Sequence, residues 1–267
     1  MFRLFILTLC FLLIGNNLQA QQPFSIGVTH SIASSTLGEE RTLNVYLPVN
    51  YSDTSVYPII YLLDGSADED FVHVSGVLQF FNLQQMIPEA IIVGIANVDR
   101  KRDFCFPTTI EQDKIDFPTT GGSEKFIQFL EQEVIPFIEK TYPENGSKTL
   151  IGQSLGGLLA TEILFKKPAL FNQYLIVSPS LWWDNESLLN LSDKAMEQLP
   201  SNNMKIFIAV GKEHKVMVHD AKKLYRIIKQ ADKNNVEVQF RYLKNEDHAT
   251  ILHNATYAGL LWLFGNK

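Results

Sequence analysis

The sequence predicts an α/β domain built on a mostly parallel sheet of eight strands, and three observations lead there. Apolar runs of strand length, such as "YPIIYLLDG" and "AIIVGIANV", lack alternation. Such runs fit strands covered by helices on both faces. They take turns along the chain with segments of helical spacing, the pattern of repeated βα units. One of them also runs straight into a helix through Gly152-Gln153-Ser154-Leu155-Gly156.

The first 20 residues stand apart from this pattern. "MFRLFILTLCFLLIGNNLQA" carries one positive charge, Arg3, then an apolar stretch from Leu4 to Ile14, then a small residue at Ala20. This is the layout of a secretory signal peptide cut after Ala20. The apolar stretch falls short of the roughly 20 residues that span a bilayer. The expectation is an exported protein, periplasmic or secreted, with no integral membrane segment once residues 1–20 are removed.

Residues 21–267 then form one domain, since no linker, repeat or low-complexity tract divides them. With 46% hydrophobic content the chain can bury one large core. The net charge of −6 and the absence of a basic run speak against nucleic acid as a partner. Cys105 is the single cysteine beyond the signal segment, so the domain must hold together without an internal disulfide. Oligomeric state is left open.

The elements follow in order. "FSIGVTHSIAS" and "RTLNVYLP" alternate and predict an antiparallel opening pair. "YPIIYLLDG", "AIIVGIANV", "KTLIGQ", "QYLIVSP", "KIFIAVG" and "VEVQFRYL" supply six more strands. Helices are expected over residues 71–86, 123–141, 155–166, 216–230 and 250–264. In the second, Phe126, Leu130, Val134 and Ile138 share one face, Ser123 is a plausible N-cap, and Pro136 should kink it.

The chemistry centres on Ser154. A nucleophile at a strand-to-helix elbow needs small neighbours two residues to either side, and Gly152 and Gly156 supply them, with Gly157 adding room. The helix N-terminus below would favour developing negative charge. Such a serine needs a base and then an acid, in the chain order serine, acid, histidine. Of the histidines after Ser154, His248 lies in the polar loop "KNEDHATIL" between the last strand and the last helix. His219 sits on the charged side of a helix and His253 inside one. Glu213 is the carboxylate in the loop after "KIFIAVG", with Asp220 a weaker rival deeper in the helix; Asp247 is too close in sequence to reach round to the ring of His248. The oxyanion donors are expected at the backbone N–H groups of Leu155 and Ser66, with Gly65 permitting the tight turn and Asp64 orienting the loop. No metal-ligand cluster and no nucleotide-binding glycine pattern stands out, so no cofactor is expected.

Taken together, "YLLDG", "GQSLGG", "SPSLWW" and the late "EDH" resemble the Putative esterase branch of the α/β-hydrolases. That branch includes esterase D, the antigen 85 mycolyltransferases and the siderophore esterases. The resemblance covers nearly all of residues 21–267 and is nearest to the siderophore-esterase-like group, through "NVDRKRD" and "SPSLWW". It implies the α/β-hydrolase fold with helices on both faces, Ser154 as nucleophile, His248 as base, and donors at Leu155 and Ser66. Some siderophore esterases work with a Ser–His dyad, which leaves the weight of Glu213 open. Arg100 and Arg102 would line the cleft mouth with Trp182 and Trp183; alternatively Arg100 pairs with Asp103 to brace the loop and the tryptophans are core.

The resulting expectation is an exported serine hydrolase that cleaves a small-molecule carboxylic ester through an acyl-enzyme. A siderophore-type lactone is one substrate; acetyl or feruloyl esters of polysaccharide, simple acyl esters, or acyl transfer to an alcohol are others. A reading from a different class is a catalytically silent binding domain on a hydrolase fold.

Overall fold

The computed structural model describes residues 24–265, so the predicted signal segment lies outside the described residues. Eight strands form one mixed, mostly parallel sheet in the order β1-β2-β4-β3-β5-β6-β7-β8. The strands are β1 (Val28–Ser34), β2 (Glu39–Tyr46), β3 (Tyr57–Leu62), β4 (Ile91–Ile95), β5 (Glu144–Gln153), β6 (Gln173–Val177), β7 (Met204–Gly211) and β8 (Val236–Leu243). β1 pairs antiparallel with β2, and β2 antiparallel with β4; every later pairing is parallel.

Side-chain period explains the two cores. Alternate residues of a strand point to opposite faces. Ile59, Tyr61, Val93, Leu150, Ile176 and Ile208 enter one core, while Ile60, Leu62, Ile92, Ile151, Leu175 and Phe207 enter the other. Helix α1 (Phe71–Leu83) and the final helix, α10 (Ile251–Phe264), cover the second face with Val74, Phe81, Ala255 and Leu260. The first face is covered by α4 (Ser123–Phe129), α5 (Ile135–Thr141), α6 (Leu155–Lys166) and α9 (Lys215–Gln230), through residues such as Phe126, Ile138, Leu158 and Leu224.

Several short elements fall in loops that the periodicity does not mark: α2 (Arg100–Phe104), α3 (Glu111–Asp116), α7 (Trp183–Glu186), a 3₁₀ turn (Ser187–Leu191) and α8 (Ser192–Glu197). The segment α7 is irregular. Asp184, Asn185 and Glu186 all have left-handed backbone, with φ of 49°, 54° and 60°. The expected single helix over 123–141 is broken by a π turn at Leu130–Val134, just before Pro136. Proline lacks the N–H of a regular turn and its ring crowds the preceding one, so the widened turn accommodates it. Its N-cap is Gly122 rather than Ser123, which is the first helical residue and makes no capping bond.

Cys105 is fully buried, and burial pushes its thiol up to about 12, so it behaves as a small apolar side chain. Among the described residues, no helix is long and apolar enough to cross a membrane.

Candidate active site

In an open sheet of this kind, ligands bind beyond the carboxyl ends of the strands where strand order reverses. Here the chain lays β4 on one side of β3 and β5 on the other. The loops after β3, β5, β6, β7 and β8 converge at that edge.

Ser154 follows β5 directly and precedes α6 directly. Its backbone sits at φ 59° and ψ −118°, a conformation costly for a residue with a Cβ. The sharp turn forces strand and helix together. A Cβ on Gly152 would lie 2.3 Å from the carbonyl oxygen of Gly156, and one on Gly157 would lie 2.9 Å from Pro179 Cα. A Cβ on Gly156 would meet Asp64 Oδ2 at 3.4 Å, an ordinary contact. The steric demand therefore falls on Gly152 and Gly157, and the expected second small residue is Gly157 rather than Gly156.

Glu213 and His248 meet across the neighbouring loops. His248 Nδ1 donates to Glu213 Oε2 at 2.8 Å. The other carboxylate oxygen accepts from the Gly211 N–H at 3.0 Å and from the Ser178 hydroxyl. Burial by itself would raise the Glu213 carboxyl, but the hydrogen bonds from His248, Ser178 and Gly211 outweigh it and hold the group below its ordinary value. Its side chain is 3% exposed while that of His248 is 46% exposed, so the ring has one fixed side and one open side. Gln153, next to the elbow, donates from Nε2 to the His248 carbonyl at 2.6 Å and ties the histidine loop to β5.

Ser154 and His248 line one cleft of about 520 Å³, together with Ser180, Trp182, Lys212, Glu213, His214 and Met217. Ser154 Oγ shares a long hydrogen bond of 3.4 Å with Ser180 Oγ; among the described residues no hydrogen bond joins Ser154 to His248. Such bonds are often loose in a ligand-free site and close when a ligand is bound. A second cleft, of about 410 Å³ between α9 and β8, contains no histidine, serine or cysteine.

The β3 loop is held against this edge. Gly65 packs so closely on β4 that a Cβ there would lie 2.3 Å from Gly94 Cα. The Ser66 N–H points to Glu69 Oε2 across a long 3.4 Å. Leu155 N begins α6, where backbone donors have no partner within the helix.

The two arginines are engaged elsewhere. Arg100 donates from Nε to Asp64 Oδ1 at 2.6 Å, from Nη2 to Asp64 Oδ2 at 2.9 Å, and from Nη2 to the Gln153 carbonyl at 3.2 Å. It braces the β3 loop against the elbow, and the expected Arg100–Asp103 pair does not form. Asp103 points inward from α2 and is held by the fully buried Arg41 at 2.6 Å and by Arg102 at 2.7 Å. Arg102 also reaches Glu39 at 2.6 Å. Both arginines are thus committed to carboxylates, and neither is among the residues that line the cleft. The tryptophans divide. Trp182 lines the cleft, whereas Trp183 is fully buried and donates to the Phe106 carbonyl at 2.9 Å, which makes it a core residue.

The rival groups have other partners. Asp220 faces His219, and Asp247 Oδ1 accepts from the Ala249 and Thr250 N–H groups at the start of α10. His253 pairs with His73 of α1 at 2.9 Å. Ser180, Lys212, His214 and Met217 at the cleft, and the buried Ser178 that holds Glu213, carry no local motif in the sequence. Their signal was position: Ser178 and Ser180 follow β6 in "SPSLWW", and the rest follow β7, at the same sheet edge.

Comparison with known proteins agrees with this fold. The model of the family described as Putative esterase matches residues 34–261. The ferri-bacillibactin esterase BesA of Bacillus subtilis (strain 168) is 30% identical over 257 residues, which cover 86% of this chain and 87% of that protein. A BES protein from Bacillus cereus superposes with a TM-score of 0.82 at 28% identity, over 92% of this chain and 98% of that one. An IroE-like serine hydrolase from Shewanella oneidensis gives 0.80 at 29% identity, over 89% and 80%.

Proposed function

Because the chain belongs to the family described as Putative esterase, we propose that it hydrolyses a carboxylic ester through an acyl-enzyme on Ser154, and that its substrate is a siderophore-type lactone. The observation that carries the reading is the strained elbow of Ser154 facing, in one cleft, a histidine already oriented by a buried carboxylate.

The steps follow from the residues. Ser154 Oγ turns from Ser180 toward His248 Nε2, gives up its proton there and attacks the ester carbonyl. Glu213 keeps the Nδ1 proton in place and stabilises the imidazolium that forms. The N–H groups of Leu155 and Ser66 hold the oxyanion, which displaces the weak Glu69 contact at Ser66. His248 returns the proton to the departing alkoxide. Water, deprotonated by the same ring, then releases the acid and restores Ser154.

Substrate class rests on two supports. One is the 30% identity to a ferri-bacillibactin esterase. The other is the cleft wall: Trp182 and Met217 offer an aromatic and a thioether surface, while Lys212 and His214 bring positive or polarisable groups. This suits an ester carried beside an aromatic, electron-rich group. Export by way of residues 1–20 is part of the same proposal and rests on the sequence pattern alone.

The test is labelling by a fluorophosphonate probe together with turnover of p-nitrophenyl butyrate. Labelling of wild type and none of Ser154→Ala is expected. If wild type is neither labelled nor active, the chain is a binding domain on a hydrolase fold. A panel of trilactone with and without iron, acetylated xylan and feruloyl esters then separates the substrate classes. The highest kcat/KM is expected on the trilactone.

A further inference from the structure

The left-handed turn behind Trp182 meets α9 at a cluster that ester hydrolysis does not use. Glu186 ends that turn at φ 60° and ψ 21°. His219 and Asp220 lie in the second turn of α9. One oxygen or nitrogen atom from each of the three lies within 4.8 Å of the other two.

Asp220 is the member that sets this cluster apart from an ordinary charged surface. Its side chain is fully buried, Oδ1 lies 3.1 Å from His219 Nδ1, and Oδ2 has no hydrogen-bond partner among the described residues. A buried carboxylate oxygen without a donor is unfavourable, and proteins resolve it with a proton, a donor or a cation. Burial raises the carboxyl and the charge of Glu186 adds to that, against His219 and Lys223. Lys223 Nζ stands 2.8 Å from Glu186 Oε2, a half-exposed pair that engages one oxygen of Glu186 and does not reach Asp220 Oδ2.

We infer that Glu186, His219 and Asp220 form a binding site for a divalent transition-metal ion of the zinc type. One imidazole and two carboxylates are a donor set for zinc rather than for magnesium or calcium, which favour all-oxygen shells. The His219 side chain is 60% exposed, so the ion has a path in and water can complete the shell. To ligate through Nδ1, His219 carries its proton on Nε2. The ion ties the Asp184–Glu186 turn to α9. Trp182 precedes that turn and Met217 lies on α9, so the ion fastens two parts of the cleft wall without touching Ser154.

The experiment is a titration of chelator-treated, dialysed protein with zinc chloride by calorimetry, with metal counted after dialysis and thermal unfolding followed in parallel. Wild type is expected to bind one zinc at this site and to gain in Tm. His219→Ala, at an exposed side chain, and Glu186→Gln should each weaken binding at least tenfold and lose the Tm gain. Lys223→Ala should bind as tightly as wild type or more tightly. His73→Ala, which removes the other close histidine pair, should leave binding unchanged. No zinc bound by wild type, undiminished binding in His219→Ala, or binding that follows His73 instead would each overturn the assignment.

Discussion

Glu213 Oε2 and His248 Nδ1 lie 2.8 Å apart although 35 residues separate them in the chain. The parallel register of β7 and β8 brings them together, with Gly211 opposite Leu243 at the strand ends. A Cβ on Gly211 would stand 2.6 Å from the Glu246 carbonyl, so the two loops that carry the pair touch backbone to backbone.

Glu213→Gln is expected to lower kcat by roughly 10²–10⁴-fold, because the amide no longer fixes the imidazole or stabilises its cation. Near-normal turnover would favour a Ser–His dyad. The substitution also has a pH signature. The Glu213 carboxyl is held below its ordinary value of 4.5 in the folded state. Its ionised form therefore stabilises the fold above that value, and the contribution is lost as pH falls through the lower folded value. The stability gap between wild type and Glu213→Gln should be present at pH 7 and shrink as pH falls below 4, read by urea unfolding.

Ser154→Ala is expected to remove probe labelling and to reduce turnover by at least roughly 10³-fold. Ser154→Gly should be equally inactive yet more stable than wild type by about 1 kcal/mol, since glycine adopts φ 59° and ψ −118° without the strain of a Cβ. Chemical denaturation of the three proteins checks this; Ser154→Gly less stable than Ser154→Ala would contradict the strain argument.

Arg100→Ala should lower kcat on p-nitrophenyl butyrate by about tenfold or more while KM moves by less than about threefold. Arg100 touches Asp64 and the Gln153 carbonyl, and so acts by positioning the β3 loop against the elbow. Arg100→Lys should not rescue, because an ammonium cannot reproduce the two-point contact with Asp64. A large rise in KM with kcat unchanged would instead make Arg100 a substrate ligand.

Asp70, which precedes α1, is pushed up to about 6 by burial and by the charges of Asp64 and Glu69, against Arg100. A raised carboxyl favours the folded state only while protonated. Stability tied to Asp70 is thus fully present below its unfolded value near 4 and is lost as pH rises through about 6. Asp70→Asn should be more stable than wild type at pH 8 by up to roughly 3 kcal/mol, taking about 1.4 kcal/mol for each of roughly two units, and by less to the extent that solvent screens this partly exposed group. Below pH 4 the two proteins should match. Equal stability at pH 8 would rule out the buried charge as a liability.

Where the sequence was legible, a local physical rule applied. Continuous apolar runs marked the parallel strands because both faces are covered. Alternation marked the antiparallel opening pair, and the glycines around Ser154 marked the strand-to-helix turn, although the steric demand falls on Gly152 and Gly157. Where it was not, the deciding contact was distant. Asp103 sits three residues from Arg100, yet it pairs with Arg41 on β2 and with Arg102 instead. Trp182 and Trp183 are adjacent and read alike, yet one faces the cleft and the other the core. Ser123 has the composition of an N-cap, but the helix begins one residue early, with Gly122 in that position.

The sequence by itself determined the order of the strands and the longer helices, the elbow at Ser154, and the loops that carry Glu213 and His248, because propensity, period and turn sterics act over a few neighbouring residues. Only the tertiary structure decided which charges meet. It gave Arg100 to Asp64, Arg41 and Arg102 to Asp103, and Asp220 to a buried position beside Glu186 and His219. Ion pairing depends on distances across the sheet and between helices, and those are fixed by how whole elements pack.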